Sequence, residues 1–441
     1  MKILKYNIII AFVLLGLFTS CEKEFDNPNQ ANEEQVLTSK AGLTALTLGL
    51  TQHFATSTLA PIVEVPGLTT REFGNLSTYS TPTDLVGGGT DLPDDNAGII
   101  RLWSRINTDK KVALDIINSV DNVTMEPDFA SGMKAYAKFF KAMLLGYQIQ
   151  NFEKAPLDSP SDGQAVFSDR VTVLQECISL LESAKADITQ TPMSSDFVAI
   201  IDGVDLPNTI NAFLARYNLM AGNYQAAIDA ANAVDLTSKS IWKYEDANEN
   251  SVWNFTVNDT PDTKPQDNFG LTGSYIPEVG DGRIAFYLDP STEAETDYGF
   301  HGVEEALGFF DSATTAIPVY LPGEMLLIKA ESYAMQDDFV NAVTQLNLVR
   351  EKTDDVFGVN AGLGAWTGDA TNKQDILDEI YKNRCIELFM TGMRLEDSRR
   401  IHNTFTPSDN IDFISERNRN YYPYPYEEKA NNTNCPADPS I

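Results

Sequence analysis

The chain has 441 residues, of which 63 are acidic and 32 are basic, so its formal net charge is −31 at pH 7. A surface this negative repels phosphate backbones, so we expect no nucleic-acid partner. The length is ample for a large core, in one big helical domain or in two merged ones.

The N-terminus has the pattern of a secretory signal. Two lysines precede an apolar run that ends at Phe18, and this run is shorter than the roughly 20 apolar residues that cross a bilayer. The small pair Thr19 and Ser20 comes next and is followed by Cys21, an arrangement that resembles a bacterial lipobox, although Phe18 departs from it. We therefore predict a lipoprotein signal peptide over residues 1–20.

A lipobox implies that Cys21 is acylated and becomes the new N-terminus, which anchors the protein to a membrane that it does not span. Residues 21–35 are polar and predict a flexible lipidated tether. The alternative is an ordinary secreted protein in which Cys21 is a disulfide partner. The remaining cysteines, Cys177, Cys385 and Cys435, are few for a disulfide framework, and the first two lie in helical patterns and are expected to be buried.

Three stretches have the apolar spacing of long helices, at 103–120, 132–152 and 171–188. Trp103 is expected to anchor the core from the first of them. Trp253, in the segment SVWNF, has a strand-like neighbourhood.

An internal repeat aligns residues 215–234 with residues 330–349 without a gap. In both copies a helix runs into a tight polar turn, and a second helix begins with an aromatic residue, Tyr224 or Phe339. The pattern resembles the tetratricopeptide helical hairpin, whose units bury their apolar faces by stacking on one another. We predict tetratricopeptide-type units at about 132–190, 209–236 and 322–350.

Long stretches rich in Gly, Pro, Thr, Asp and Asn separate these helices, and loops of such length are usually functional or disordered. We expect a loop-rich, ligand-binding half that includes about 69–98 and 245–315. The triple glycine Gly87–Gly89 lacks the lysine of a phosphate loop and is interpreted as a flexible loop.

The segment NRCIELFMTGMRLEDSRR, which begins at Asn383, resembles the signature helix of the SusD/RagB family of outer-membrane nutrient-binding lipoproteins. Asn383 and Thr391 replace acidic residues that are common there. Further segments agree in the family's order: FDNPN after Cys21, AKFFKAMLLGYQIQNFEKAPL, YLPGEMLLIKAESYAMQDDFVNAV and YPYPYEEKANN. The signature positions that match are Arg384, Glu387, Leu388, Gly392, Arg394, Asp397 and Arg400.

The resemblance implies a mainly α fold, a SusD-like α/α superhelix in which tetratricopeptide-type hairpins pack against a loop-rich half, with residues 36–441 as one domain. It implies a protein on the outer membrane, facing outside, that captures an oligosaccharide for a TonB-dependent, SusC-like barrel. A peptide-binding member of the family is the alternative, and a pure interaction scaffold is another.

An enzyme is less favoured by the residues. The three histidines, His53, His301 and His402, are far apart, and no HExxH or G-x-S-x-G motif is present. With 63 acidic residues, some carboxylate pair will always imitate a glycosidase site. No cofactor is expected. Bound calcium stays an alternative at two clusters of oxygen-bearing side chains, although neither cluster completes a calcium loop. The first cluster is Asp91, Asp94, Asp95 and Asn96, and the second is Asp246, Asn248 and Asn250.

Sugar recognition needs flat aromatic faces and planar polar groups on exposed loops. The residues that offer this chemistry are Arg71, Phe73, Asn75, Tyr79, Asp84, Asp91, Tyr298, Phe300 and His301. The plainer alternative is that each aromatic side chain only pins its own loop. The net charge slightly favours neutral glycans over acidic ones, unless a local basic patch overrides it.

The signature helix also carries charges three residues apart, which predicts that Arg384 pairs with Glu387 and that Arg394 pairs with Asp397 along the helix surface. We interpret these pairs as structural, with ligand binding as the alternative.

Overall fold

The computed structural model describes residues 33–258, 262–289, 295–296, 302–405, 407 and 416–441. The described chain is mainly helical. Its α-helices are α1 Glu33–Leu37, α2 Lys40–His53, α3 Leu59–Thr69, α4 Ser80–Gly87, α5 Ala97–Ser119, α6 Pro127–Asn151, α7 Arg170–Gln190, α8 Ser195–Ile200, α9 Leu206–Met220, α10 Tyr224–Asn232, α11 Ser251–Thr256, α12 Gly282–Tyr287, α13 Pro322–Met335, α14 Phe339–Arg350, α15 Lys373–Glu387, α16 Arg394–Ile401 and α17 Tyr426–Asn431. None of these helices combines the length and the apolar content that a membrane crossing needs.

The strands are short and pair two by two, antiparallel, within the described residues. The pairs are β1 Phe73–Asn75 with β5 Thr263–Pro265, β2 Lys154–Pro156 with β3 Phe167–Asp169, β4 Ile241–Trp242 with β10 Ile317–Pro318, β6 Leu288–Asp289 with β9 Glu305–Ala306, and β7 Glu295–Thr296 with β8 Gly302–Val303.

The helix α6 is the centre of the helical frame. It packs between α5 and α7, and every residue from Ala135 to Asn151 is buried. Trp103 of α5 is 5% exposed and stacks on Phe167, with ring centroids 5.8 Å apart. The three predicted long helices are therefore confirmed, and the expected core position of Trp103 is confirmed as well.

Two helical hairpins stand where the internal repeat predicts them, α9 with α10 and α13 with α14. Their turns pass through Gly222 (φ 76°) and Asp337 (φ 61°), a left-handed conformation that suits glycine best. The buried pair of Arg216 and Glu324 joins α9 to α13 through two hydrogen bonds of 2.6 and 2.8 Å. The division of the chain into tetratricopeptide-type units stays a prediction.

The predicted loop-rich half contains more regular structure than expected. Trp253 lies in the helix α11 and not in a strand, because Asn250 caps the helix by accepting hydrogen bonds from two backbone N–H groups. The triple glycine is a packed turn, not a flexible loop. A Cβ on Gly88 (φ 58°) would stand 2.1 Å from the side chain of Asn418.

The ion pairs predicted within the signature segment are wrong, since its charged side chains turn inward and find partners on other elements. Arg384 Nη2 lies 2.9 Å from Asp397 Oδ1. Glu387 is fully buried and receives the Arg283 guanidinium at 3.3 Å and the Lys352 ammonium. Arg394 donates to two backbone carbonyls and lies 3.9 Å from the carboxylate of Glu72.

The same buried cluster extends to two further helices. Arg400 of α16 binds Glu331 of α13 at 2.5 and 2.8 Å, and Arg170 of α7 binds Glu396 of α16 at 2.5 Å. The signature segment thus holds the helical frame together by charge. Cys177 and Cys385 are buried, as expected.

Removing one partner from this cluster should be costly, because it leaves the other charges buried without compensation. We expect Glu387→Gln to lower the free energy of unfolding by about 3–5 kcal/mol, measured by denaturant unfolding. Asp121→Asn, which breaks an exposed pair with Lys134, is the control and should cost less than about 1 kcal/mol. Equal losses in the two variants would contradict the structural role of Glu387.

Candidate functional site

A cleft of about 1170 Å³ opens where the start of the helical frame meets the loop-rich half. Its lining residues are Thr56, Ser57, Ala60, Pro61, Glu64, Tyr79, Thr81, Pro82, Ala97, Arg101, Arg105, Asp246, Ala247, Asn248, Glu249, Ser251, Asn254, Phe255, Asn258, Asp262 and Thr263.

The floor of the cleft is a π-helical turn, Phe54–Thr58, between α2 and α3. Pro61 has no N–H to donate to the carbonyl of Ser57, so regular helical hydrogen bonding fails there. The carbonyl of Ala55, in the same turn, accepts hydrogen bonds from the hydroxyls of Ser251 (2.7 Å) and Tyr244 (3.2 Å). The turn is thereby tied to the loop opposite. Such π segments occur frequently at functional sites.

Two asparagines fix the walls. Asn250 caps α11, and its Nδ2 donates to the carbonyls of Phe309 and Thr315, both at 2.9 Å. Asn96 caps α5 and donates to the carbonyl of Thr81 at 3.0 Å. Both side chains, which the sequence offered as calcium ligands, are thus engaged with backbone groups. Within the described ranges no group of three or more His, Cys, Asp or Glu side chains could hold a metal ion.

Two aromatic rings face the cleft. Tyr79 lies just before α4 and is 67% exposed. Phe255 of α11 is half-buried and rests edge-on against the buried ring of Phe73, with centroids 5.7 Å apart. One ring is therefore free to meet a ligand from solvent, and the other is held in place from behind.

The two arginines that line the cleft lie on one helix, α5, while acidic side chains line it from several elements. On one wall, Arg101 Nη2 lies 3.2 Å from the carboxylate of Glu64. Burial raises the pKa of Glu64 above its usual value, the Arg101 charge opposes this and Asp262 adds to it. Arg105 lies one turn further along α5, while Asp246 and Glu249 line another part of the cleft.

The two histidines in the described part of the chain are held in different places. His53 Nδ1 lies 2.6 Å from Asp109, and His402 lies between the carboxylates of Asp378 and Glu416. They do not form one catalytic cluster.

Comparisons with known proteins agree with this architecture. The SusD family model matches residues 310–438, which include the signature segment. A SusD superfamily protein from Bacteroides vulgatus ATCC 8482 is 15% identical, with 90% of this chain and 98% of that chain covered and a TM-score of 0.65. A SusD homolog from Bacteroides thetaiotaomicron VPI-5482 is 12% identical, with 93% and 99% covered and a TM-score of 0.70.

Over residues 310–438 the chain matches the SusD family model, and over most of its length it has the fold of the SusD-like structures. The expected mainly helical, SusD-like fold is confirmed. A third similar structure, described as a SusD-like carbohydrate binding protein from Bacteroides fragilis NCTC 9343, is 14% identical, with 90% and 99% covered and a TM-score of 0.68. No curated protein sequence matches the chain.

Of the predicted ligand-binding residues, Tyr79 lines the cleft. Asp84 and Asp91 are not among its lining residues, and Asn96 donates to Asp84 at 3.4 Å. The predicted Tyr298, Phe300 and His301 lie outside the described residues, as does Cys21.

Three of the predicted residues are buried, and this corrects their interpretation as ligand contacts. Phe73 is fully buried in β1, opposite Pro265. Arg71 is 2% exposed and donates to the carbonyl of Val86 at 2.7 Å. Asn75 is 1% exposed and donates to Thr83 Oγ1 at 3.0 Å. The pairing of β1 with β5 holds the side chains of Phe73 and Asn75 in the interior, where they support the wall.

Most of the polar side chains that line the cleft were not among the residues predicted from the sequence. One available signal was Glu64, the only charged residue between His53 and Arg71 in an otherwise apolar helical stretch. Another was the spacing of Arg101 and Arg105, four residues apart and therefore on one face of a helix.

The raised pKa of Glu64 has a consequence for stability. The folded state holds this proton more tightly than the unfolded chain does, so ionisation of Glu64 lowers stability as pH rises above its usual pKa of 4.5. We expect Glu64→Gln to gain stability relative to the unmodified protein between about pH 4 and about pH 7, measured by urea unfolding. If the stability of Glu64→Gln relative to the unmodified protein falls between these pH values, the raised pKa of Glu64 is contradicted.

Proposed function

We propose that this SusD-family protein captures an oligosaccharide in the cleft and delivers it to a TonB-dependent, SusC-like outer-membrane barrel, without cleaving it. The observation that carries the proposal is the cleft itself. It combines an exposed tyrosine ring and a supported phenylalanine ring with side-chain amides and hydroxyls on a hydrogen-bonded floor. Flat rings meet the C–H face of a sugar, and planar polar groups bind its hydroxyls.

The size of the cleft supports an extended ligand. Its volume of about 1170 Å³ is above the roughly 300–1,000 Å³ of ordinary small-molecule pockets. Asn248 and Asn254 each offer an amide to the cleft, and Thr56, Ser57 and Thr81 offer hydroxyls. A chain of several sugar units can use such groups in succession, whereas a single small molecule would leave many of them unused.

The rigid surroundings of the cleft favour binding as well. The π-helical floor and the capped helices α5 and α11 are fixed by buried hydrogen bonds before any ligand arrives. A preformed site loses less conformational entropy on binding than a mobile one.

Tyr79 gives the most direct test. We expect Tyr79→Ala to weaken binding of a glycan about tenfold, because removal of one aromatic anchor costs on the order of 1–2 kcal/mol. The measurement is calorimetric titration of the soluble form, which starts after Cys21, against a panel of oligosaccharides and a peptide mixture, with the products checked for cleavage.

The matched control is Tyr426→Ala, which removes another exposed tyrosine (61%) outside the cleft and should leave affinity unchanged. Phe73→Ala should instead lower stability by about 3–5 kcal/mol, as expected for a buried phenylalanine. Heat from peptides alone would replace the glycan with a peptide ligand, and cleavage of any glycan would overturn the proposal that the protein is not an enzyme.

We also propose that lipidation of Cys21 holds the protein on the outer membrane, facing outside. The support is the pattern of the N-terminal sequence. We expect Cys21→Ser to abolish incorporation of a labelled fatty acid and to shift the protein from the membrane fraction to the soluble fraction. A variant that stays acylated and membrane-bound would contradict this anchor. Cys435→Ser is the control and should remain membrane-bound.

A further inference from the structure

One arginine of the cleft, Arg105, differs from the other described arginines in its hydrogen bonding. Every other arginine that the structure describes makes at least one hydrogen bond to another part of the chain. Arg105 is half-buried in the cleft wall and makes no hydrogen bond or ion pair with any residue in the described ranges. Its charge acts on the buried carboxylate of Asp109, which already receives His53 and Thr58.

An arginine with no hydrogen-bond or ion-pair partner among the described residues is unexpected in a chain with about twice as many acidic as basic residues, 63 against 32. A guanidinium presents five N–H donors in a planar fork, and this geometry matches the two oxygens of a carboxylate. In a partly buried wall, the charge is shielded from water on one side, which strengthens its attraction for an anion that enters the cleft. The fork of Arg105 is therefore available to a ligand.

The neighbouring groups fix where such an anion would bind. Arg101 lies one turn before Arg105 and adds a second positive charge, and its side chain is 48% exposed although it also contacts Glu64. Burial raises the pKa of Glu64, which reduces the negative charge on this wall at mildly acidic pH. Asp246 and Glu249 also line the cleft and would repel an anion near them, while the charge of Asp262 acts on Glu64 and helps to raise its pKa.

We propose that the ligand is an acidic oligosaccharide, and that a carboxylate of a uronic acid unit binds Arg105, with Arg101 beside it. The remaining units then lie toward Tyr79 and Phe255, and their hydroxyls bind the asparagines and acidic side chains of the other wall. This inference rests on the proposed function, since it names the class of glycan. It also reverses the preference for neutral glycans that the net charge alone suggests.

The test uses hexuronate oligosaccharides of several linkages, each paired with the same oligosaccharide after chemical reduction of its carboxyl groups to alcohols. We expect at least one acidic form to bind about 10- to 100-fold more tightly than its reduced form, since a charge-assisted bidentate contact is lost on reduction. Arg105→Gln should remove this difference and leave binding of the reduced form nearly unchanged. Arg105→Lys keeps the positive charge but not the planar guanidinium, so it should retain only part of the affinity difference between the acidic and the reduced form.

Lys111→Gln is the charge-matched control. Lys111 lies on the same helix, pairs with Asp115 and does not line the cleft, so this variant should retain the full difference. The ratio of the two affinities is measured within each variant, so a partly unfolded sample does not change it.

The possible failures are distinct. Equal binding of the acidic and reduced forms, or a difference that persists in Arg105→Gln, would overturn this inference and leave glycan capture standing. Binding of sulfated but not uronate oligosaccharides would overturn the carboxylate assignment. Absence of binding by every glycan would overturn the proposed function and this inference with it.

Discussion

The structure depends on a cluster of buried charges that satisfy one another around the signature segment. Glu387 receives Arg283 from the loop-rich half and Lys352 from the end of a helical hairpin, while Arg400 reaches Glu331 on that hairpin. Buried charges are stable only when they are paired and hydrogen-bonded, so these partners must stand at fixed positions. A Cβ at Gly323 would stand 1.9 Å from the Glu387 carboxylate, which shows how little room the cluster leaves. The cluster therefore sets how the helical frame meets the loop-rich half.

The cleft lies at that junction, and a π-helical turn forms its floor. In the π-helical turn before Pro61, the carbonyl of Ala55 accepts a hydrogen bond from the hydroxyl of Ser251, which connects the frame to the opposite wall. Caps on α5 and α11 use the asparagines that a metal site would have required. These contacts hold the floor and the walls, and Tyr79 and Arg105 line the surface of the cleft.

The sequence predicts the parts of the molecule that rest on local periodicity. Long helices such as α6 follow from apolar residues at helical spacing, and the hairpin turns follow from Gly222 and Asp337. The burial of Phe73 could not be predicted in this way, because it results from pairing with Pro265, far along the chain. The availability of Arg105 likewise depends on which partners the fold brings near each arginine. A family signature marks the charges of the core, but it does not say which side chains line the cleft.

The most direct test of the central claim is a crystal structure of the soluble protein with the oligosaccharide that binds it most tightly. If the glycan binds in the cleft as proposed, its density will lie against the ring of Tyr79 and within hydrogen-bond distance of Arg105. Density in another cavity, such as the one lined by Tyr275, His402 and Phe405, with the cleft left empty, would contradict it.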